Sequence, residues 1–273
     1  MTEPTHADLL RIVELLEDRH GVGVRGAELP GWLEERLKNA IATLLASQRL
    51  SLAALEARLV VEPTLVAELA NALRVGETRF YRDAPQWEAL RRNVIPGLQA
   101  RRNDTQPLMA LSAGCSTGEE AWTLAMLLGE SSEWRGRARV LGVDRSEAAL
   151  VTARLATYDA GSQQHLPSDL AQRFLKRGID GSVRIVPELT PLVTFQCRDL
   201  TRGVPPGRYA LIVCKNVLIY FGDDAQDALL QGLLRALTDD GVLLVARSEI
   251  PIARSLGAKA HEIGPGITAF RGY

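Results

Sequence analysis

From residue 108 onward, short apolar runs alternate with segments whose apolar residues recur at helical spacing. One such segment has Ala121, Leu124, Ala125 and Leu128 on one face, and another begins at Ser146, a good N-cap residue. A third helix is predicted over 223–237. The apolar runs are Leu108–Ser112, Arg139–Val143, Tyr209–Cys214 and Gly241–Ala246. Strands that alternate with helices form a mostly parallel sheet covered on both faces, so the pattern predicts an α/β domain over 106–273.

The first 75 residues show only helical spacing. Breaks that contain glycine or proline separate the segments at 20–23 and at 29–31. The apolar positions are Leu9, Val13 and Leu16; Leu33, Leu37, Ile41 and Leu45; Leu52, Leu55 and Leu59; and Leu65, Leu69 and Leu73. They predict an all-helical N-terminal domain of about four helices over 1–75, followed by a linker and connecting helix over 76–105.

Two short β-rich runs interrupt the α/β pattern. Val183–Val186 and Leu192–Phe195 are separated only by a stretch that contains Pro187 and Pro191. Two strands so close in sequence cannot be joined by a crossover helix, so we expect them to be antiparallel. The sequence predicts a small β-lobe over about 180–198, inserted into the α/β domain.

Composition excludes several classes of protein. The net charge of −1 lacks the basic excess of nucleic-acid binders, so no nucleic-acid partner is expected. No apolar stretch approaches the ~20 residues of a membrane span, and the first ten residues do not resemble a signal peptide, so we expect a cytoplasmic protein. Cys115, Cys197 and Cys214 suit neither a disulfide framework nor a metal cluster, and are interpreted as small buried hydrophobes.

A glycine-containing loop, Ser112–Gly118, follows the first apolar run and precedes a helix. Such loops bring backbone N–H groups and a helix N-terminus to a ligand, although glycines also occur there only for tight geometry. Asp144 ends the next predicted strand, where a carboxylate can accept hydrogen bonds from ribose hydroxyls; otherwise it caps a helix. Together they indicate a nucleoside-containing cofactor. The spacing G-x-G-x-x-G of dinucleotide sites is absent.

Two further segments carry polar residues. Cys214–Phe221 follows a predicted strand, so Asn216 is expected at the same sheet edge, either as a ligand-binding amide or as a turn residue. Gly76–Asp83 combines Arg79 and Arg82 with two aromatic residues. This segment is interpreted either as a clamp for an anionic substrate or as a solvated connector anchored by Phe80.

In this order, these elements resemble the CheR-type chemotaxis receptor methyltransferases, which esterify glutamate side chains of receptors. The matching strings are Glu77–Asp83, Ser112–Glu120, Gly142–Asp144, Asn216–Phe221 and Leu243–Glu249. The resemblance implies a Rossmann-like methyltransferase domain that uses S-adenosylmethionine and releases S-adenosylhomocysteine. It also implies the helical N-terminal domain and the β-lobe, and as partners the cytoplasmic helices of methyl-accepting chemoreceptors.

The resemblance also implies the site residues. Arg82 and Tyr220 are implied near the transferring methyl group, Glu120 at the amino group of the cofactor and Asp144 at its ribose. The cofactor contacts implied are Thr78, Arg82, Glu120, Asp144, Asp199, Leu200, Lys215 and Asn216, with Gly114 in the binding loop. No metal is implied, and nothing requires more than a monomer.

This chain departs from the family pattern at several positions. Gly76 and Asp199 stand where asparagines are usual, and Lys215 stands where arginine is usual. The second helix keeps little of the arginine-rich face that docks on acidic receptors in the family. Residues 1–75 hold eight Lys or Arg and eleven Asp or Glu, a net charge of −3. Two alternatives therefore stay open: a methyltransferase for another protein or a small molecule, and a non-catalytic cofactor-binding scaffold.

Overall fold

The computed structural model describes residues 4–20, 31–72, 78–101, 107–131 and 136–272. The chain divides into two compact units. One comprises residues 1–76 and 217–228, and the other comprises 77–216 and 229–273. The predicted breaks at 21–23 and 29–30, together with Leu73, Gly76 and Glu77, lie outside the described residues.

Four helices build the first unit over the N-terminal residues, as the apolar spacing predicts. They are α1 (His6–His20), α2 (Gly31–Gln48), α3 (Leu52–Val61) and α4 (Pro63–Ala72). Ser51 starts α3, and its hydroxyl accepts a hydrogen bond from the backbone N–H of Ala54. The apolar faces meet in one buried cluster that includes Leu9, Leu37, Ile41 and Leu55. Burial of these faces stabilises the helices, of which α3 and α4, at ten residues each, are too short to be stable alone in water.

The second unit begins with a helical stretch over 84–101. It consists of α5 (Ala84–Ala89), a π-helical turn (Leu90–Val94) and α6 (Ile95–Arg101). The helices that follow are α7 (Glu119–Glu130), α8 (Glu147–Leu155), α9 (Ser168–Phe174), α10 (Asp223–Ala236) and α11 (Ile250–Ser255). The part of α10 up to residue 228 belongs to the first unit.

Seven strands form the main sheet of this unit, in the order β6-β2-β1-β7-β8-β10-β9. The first five are parallel to one another, while β10 and β9 are antiparallel. The strands are β1 (Leu108–Ala113), β2 (Ala138–Asp144), β6 (Val193–Cys197), β7 (Tyr209–Cys214), β8 (Leu237–Val245), β9 (Lys259–Gly264) and β10 (Ile267–Arg271). Every residue of β7 is buried, as expected of a strand covered on both faces.

The strand order reverses at β1, which pairs with β2 on one side and with β7 on the other. In open α/β sheets, ligands bind in the crevice at the carboxyl ends of the strands beside such a reversal. The residues that follow β1, β2, β6, β7 and β8 therefore share the edge at which a ligand is expected. The α/β fold with an all-helical N-terminal region and a small antiparallel sheet agrees with the prediction.

The position and pairing predicted for the β-lobe are wrong. The small antiparallel sheet has the order β3-β5-β4, from β3 (Thr157–Tyr158), β4 (Leu175–Arg177) and β5 (Val183–Ile185). The second β-rich run is β6, which pairs in parallel with β2 of the main sheet. The two runs belong to different sheets, joined by a 3-10 helix over Pro187–Leu192. Strands that are close in sequence are expected to be antiparallel only if they are neighbours in one sheet, and these two strands are not.

Two of the three cysteines agree with their interpretation. Cys115 and Cys214 are buried, whereas Cys197 is exposed at the end of the edge strand β6, so its predicted burial is wrong. None of the helices in the described part of the chain is long and apolar enough to cross a lipid bilayer.

Candidate cofactor and methyl-transfer site

The loop after β1 is fixed by backbone hydrogen bonds to the next strand. The N–H groups of Gly114 and Cys115 both donate to the carbonyl oxygen of Val143, at 2.8 and 2.9 Å. Gly118, which precedes α7, has φ +97°, and a Cβ there would lie 2.7 Å from the Cβ of Ala153. Only glycine fits this close approach of the loop to α8. The loop therefore presents the N-terminus of α7 at the carboxyl edge of the sheet.

Asp144 is the last residue of β2, and its carboxylate joins two backbone segments. Oδ2 accepts from the N–H of Ser116 at 3.0 Å, and Oδ1 accepts from the N–H of Ser146 at 2.8 Å. Ser146 caps α8 through its own hydroxyl. The capping role and the ligand-binding role considered from the sequence are compatible, because each carboxylate oxygen can accept more than one hydrogen bond.

Asp199 and Leu200 follow the neighbouring strand β6. The N–H of Arg198 donates to the carbonyl oxygen of Asp144 at 2.9 Å, so the ends of β2 and β6 stay adjacent. Asp199 begins the short 3-10 helix Leu200–Arg202, and its Oδ1 accepts from the N–H of Thr201 at 3.0 Å. Leu200 is buried. This part of the edge therefore combines an acidic side chain with an apolar one.

Glu120 lies in the first turn of α7. Its Oε1 accepts a hydrogen bond from the hydroxyl of Ser112 at 2.8 Å. Burial raises the pKa of Glu120 from its usual 4.5 to about 7; the charges of Lys215 and Arg82 act in the opposite direction, and that of Glu249 raises the pKa further. These four charged side chains therefore interact across one site.

Lys215 immediately follows β7 and is almost fully buried. Its Nζ donates to the carbonyl oxygen of Arg82 at 2.6 Å and lies 5.1 Å from the ring centre of Trp87. The indole N–H of Trp87 donates to the same carbonyl oxygen at 2.8 Å. Burial lowers the pKa of the Lys215 ammonium, against the attraction of Glu120 and Asp83. Lys215 thus fixes the backbone that carries Arg82.

Asn216 has a left-handed backbone, with φ +58°. Its N–H donates to Oε2 of Glu249 at 2.9 Å, and the N–H of Ala246 donates to the same oxygen at 3.0 Å. Glu249 is fully buried. The sequence reasoning gave Glu249 no role. The sequence feature that could have identified Glu249 is its position as an acidic residue shortly after the apolar run Gly241–Ala246. Asp144 has a comparable position after the apolar run Arg139–Val143.

The segment over 78–83 approaches the same edge. The side chain of Thr78 interacts with that of Glu119. Burial raises the pKa of Glu119, whereas the interactions with Thr117 and Thr78 lower it. Phe80 and Tyr81 are buried, and Tyr81 and Asp83 have positive φ values of 59° and 66°. The buried aromatic pair anchors the segment, as one of the two interpretations expected, and leaves Arg79 and Arg82 partly exposed on either side.

The structure places most of the predicted site residues in the second unit, along or beside the carboxyl edge of the sheet. These are Thr78, Arg82, Gly114, Glu120, Asp144, Asp199, Leu200, Lys215 and Asn216. Tyr220 lies in the 3-10 turn Leu218–Tyr220, which belongs to the first unit, and is half-buried. Its role near the transferring methyl group stays a prediction. Phe221 is buried, in agreement with its interpretation as a core aromatic residue.

The polar groups at this edge fit the chemistry of S-adenosylmethionine. The half-buried carboxylate of Glu120 suits an ammonium group. One of its oxygens accepts from Ser112, and the other can accept a hydrogen bond from the ammonium. The carboxylate of Asp144 suits ribose hydroxyls, and buried Leu200 suits an apolar base. Acceptors that suit an ammonium group and ribose hydroxyls, together with a buried apolar side chain, are thus present within a single unit.

Comparison with known proteins identifies the family. Residues 76–254 match the family model described as CheR methyltransferase, SAM binding domain. The chain is 31% identical over 90% of its length to an uncharacterized 104.1 kDa protein from the hypE 3' region of Rhodobacter capsulatus, and spans only 26% of that protein. It is 26% identical to the chemotaxis protein methyltransferase of Listeria monocytogenes, over 82% of this chain and 84% of that one.

A third relative is the chemotaxis protein methyltransferase of Escherichia coli K12, which is 31% identical over 66% of this chain and 62% of its own length. The family model covers well over half of the present chain, including the glycine loop, Asp144 and Asn216. The cofactor of the matched domain is S-adenosylmethionine. The chain therefore belongs to the CheR methyltransferase family.

Proposed function

We propose that this protein transfers a methyl group from S-adenosylmethionine to glutamate carboxylates on the cytoplasmic helices of chemoreceptors. The observation that supports the proposal is the hydrogen bond from Lys215 to the carbonyl oxygen of Arg82, which joins the turn that bears this guanidinium to the carboxyl end of β7. The names of the Listeria and Escherichia relatives support the same chemistry.

The residues assigned to the cofactor are those that the resemblance to the family implies. Glu120 holds the amino group, Asp144 the ribose hydroxyls, and Asn216 contributes its side-chain amide. Thr78, Gly114, Asp199, Leu200 and Lys215 complete the contacts. The bound cofactor supplies a methyl group activated by a sulfonium centre.

The chain does not have to supply a general base. A glutamate carboxylate has a pKa of about 4.3 in water, so it is already ionised and nucleophilic at neutral pH. Catalysis then depends on positioning the carboxylate in line with the methyl group and on excluding water from it. We assign the orientation of the carboxylate to Arg82, whose planar guanidinium can bind both carboxylate oxygens. Tyr220 is assigned to the wall of the methyl pocket.

Methylation would act as a signal because each ester removes one negative charge from a receptor helix. The loss of a charge relieves repulsion between neighbouring carboxylates on the helix face. The change per event is small, so the receptor bundle must be poised between two states to respond.

The test is to incubate the purified protein with radiolabelled S-adenosylmethionine and membranes that contain chemoreceptors. The proposal predicts label on a receptor-sized band that is released by mild base, as expected of a methyl ester. Asp144→Ala should abolish this label and weaken cofactor binding in calorimetry. Base-stable label, or label on no receptor, would contradict the proposed substrate.

A second candidate is methyl transfer to a different acceptor. The charge of the N-terminal helical region favours a different acceptor. Residues 1–75 carry a net charge of −3 and would not be attracted to an acidic receptor. On α2, Lys38 Nζ lies 2.9 Å from Glu34 Oε1, so part of the positive charge of this helix is neutralised within it. Label in a soluble protein or metabolite in the same experiment would support this candidate.

A further inference from the structure

A pocket of about 300 Å³ lies beside Arg82 in the second unit. It is lined by Arg79, Arg82, Asp83, Ala84 and His165. This volume is at the lower end of the range for small-ligand sites, roughly 300–1,000 Å³. The pocket therefore has room for more than the single carboxylate that Arg82 is assigned to orient.

Hydrogen bonds hold the two segments of the pocket together. The N–H of Arg82 donates to the carbonyl oxygen of Arg79 at 3.4 Å, which closes a turn over the buried pair Phe80 and Tyr81. The N–H of Phe80 donates to the carbonyl oxygen of Ser162 at 3.1 Å, in the segment that leads to His165. The arginines and the imidazole are thus brought to one pocket by the backbone and not only by flexible side chains.

The lining is positively charged. Among the described residues that line the pocket, two guanidinium groups accompany one carboxylate, that of Asp83, which also attracts the ammonium of Lys215. The balance is positive even when His165 is neutral, and an imidazole N–H can still donate a hydrogen bond. Arginine binds carboxylates through two parallel hydrogen bonds, so the chemistry of this pocket selects an anionic group.

We propose that Arg79 and His165 form a second carboxylate subsite, which binds an acidic side chain next to the glutamate that is methylated. On a helical substrate, a residue three or four positions away lies on the same face and can enter the pocket together with the reacting glutamate. The subsite rests on the proposed function for the identity of the reacting group. It makes Arg79 a determinant of which glutamates are methylated.

The experiment measures binding of two alanine-rich helical peptides of about 20 residues to the protein saturated with S-adenosylhomocysteine. One peptide has a single glutamate, and the other has a second glutamate four positions away. We expect the wild type to bind the second peptide about tenfold more tightly, which corresponds to about 1.4 kcal/mol. Arg79→Gln should abolish this preference and His165→Ala should reduce it. Arg254→Gln, at an exposed arginine of α11, is the matched control for the loss of one positive charge and should keep the preference.

Separate titrations with S-adenosylhomocysteine distinguish the two sources of a carboxylate. An unchanged affinity in Arg79→Gln shows that the variant is folded and that the pocket does not serve the carboxylate of the cofactor. A tenfold loss of that affinity would overturn the subsite, as would an undiminished preference in Arg79→Gln or no binding of either peptide. If the peptide preference holds but receptors receive no base-labile label, the proposed function fails while the subsite stands.

Discussion

The side chain of Lys215 donates a hydrogen bond to the main-chain carbonyl oxygen of Arg82, 133 positions earlier in the sequence. This contact joins the end of a central strand to the turn that carries the proposed substrate-orienting arginine. Lys215 forms this hydrogen bond through the ammonium group at the end of its long aliphatic side chain, and the ring of Trp87 packs against the ammonium. The departure from the arginine usual in the family therefore still produces a defined structural link.

Lys215→Met should disconnect this turn while keeping the length of the side chain. We expect the affinity for S-adenosylhomocysteine to fall by roughly tenfold, about 1.4 kcal/mol, because the Arg82 turn and Glu120 both lose an interaction. Calorimetric titration measures the change. Lys259→Met, at an exposed position on β9, removes the same charge and should leave the affinity unaltered. Equal affinities for all three proteins would show that the contact plays no part in binding.

Arg82→Ala tests the role of the side chain apart from that of the backbone. The variant keeps the carbonyl oxygen that accepts hydrogen bonds from Lys215 and Trp87. Methyl transfer should fall by at least tenfold, about 1.4 kcal/mol of barrier, while the protein stays folded. The measurement is the initial rate of base-labile label on receptor membranes, with Arg254→Ala as the control. An unchanged rate on a substrate that the wild type methylates would remove Arg82 from the mechanism.

Glu249→Ala should destabilise the protein without touching the proposed substrate pocket. Oε2 of Glu249 accepts from the N–H groups of Asn216 and Ala246, and each buried donor left without a partner costs about 1–3 kcal/mol. The free energy of unfolding should therefore fall by roughly 2–6 kcal/mol. Urea denaturation checks this value. Glu188→Ala, at an exposed position, serves as the comparison, and a similar small change in both variants would argue against the role of Glu249.

Glu120 should make stability depend on pH. Its pKa is raised from 4.5 to about 7 in the folded protein, so the protonated form is favoured by folding. The contribution is fully present below pH 4.5 and is lost as the pH rises through 7, by ~3 kcal/mol in total. The stability of the wild type relative to Glu120→Gln should therefore decrease between pH 4.5 and 8, as measured by urea denaturation. A pH-independent difference would show that Glu120 titrates as it does in water.

If the cationic amino group of the cofactor binds beside Glu120, the affinity for the cofactor should have the opposite pH dependence to the stability. Binding of an ammonium favours the ionised carboxylate, so affinity for S-adenosylhomocysteine should increase as the pH rises from 6 to 8. Calorimetry on the wild type and on Glu120→Gln separates this increase from other titrations, because the glutamine variant should lack it. An increase of equal size in both proteins would place the amino group elsewhere.

The parts of the site that could be predicted from the sequence are local. A strand, a glycine loop and a helix follow one another over 108–130, and Asp144 directly ends a strand, so periodicity and turn chemistry are sufficient to find them. Glu249 could not be assigned in this way, because its function is to bind the N–H of Asn216, 33 positions away. A contact of that kind depends on which strands become neighbours.

The same limit explains the errors. The run over 193–197 is short and apolar, and nothing local distinguishes a strand that joins the main sheet from one that forms a separate hairpin. Cys197 is exposed because β6 is the edge strand, and the order of strands determines which strand lies at the edge. Sequence periodicity predicts the elements, whereas long-range pairing determines their neighbours.

The described residues include six non-glycine residues with positive φ, and four of them, Tyr81, Asp83, Ser116 and Asn216, lie in the turns around the proposed site. A left-handed backbone costs an L-residue roughly 1–2 kcal/mol, whereas glycine adopts it without penalty. Glycine at one of these turns would therefore relax the backbone but remove a side chain from the site. The same few turn residues therefore affect both thermostability and catalysis. Selection for thermostability should favour glycine at these turns and thereby lower the turnover rate.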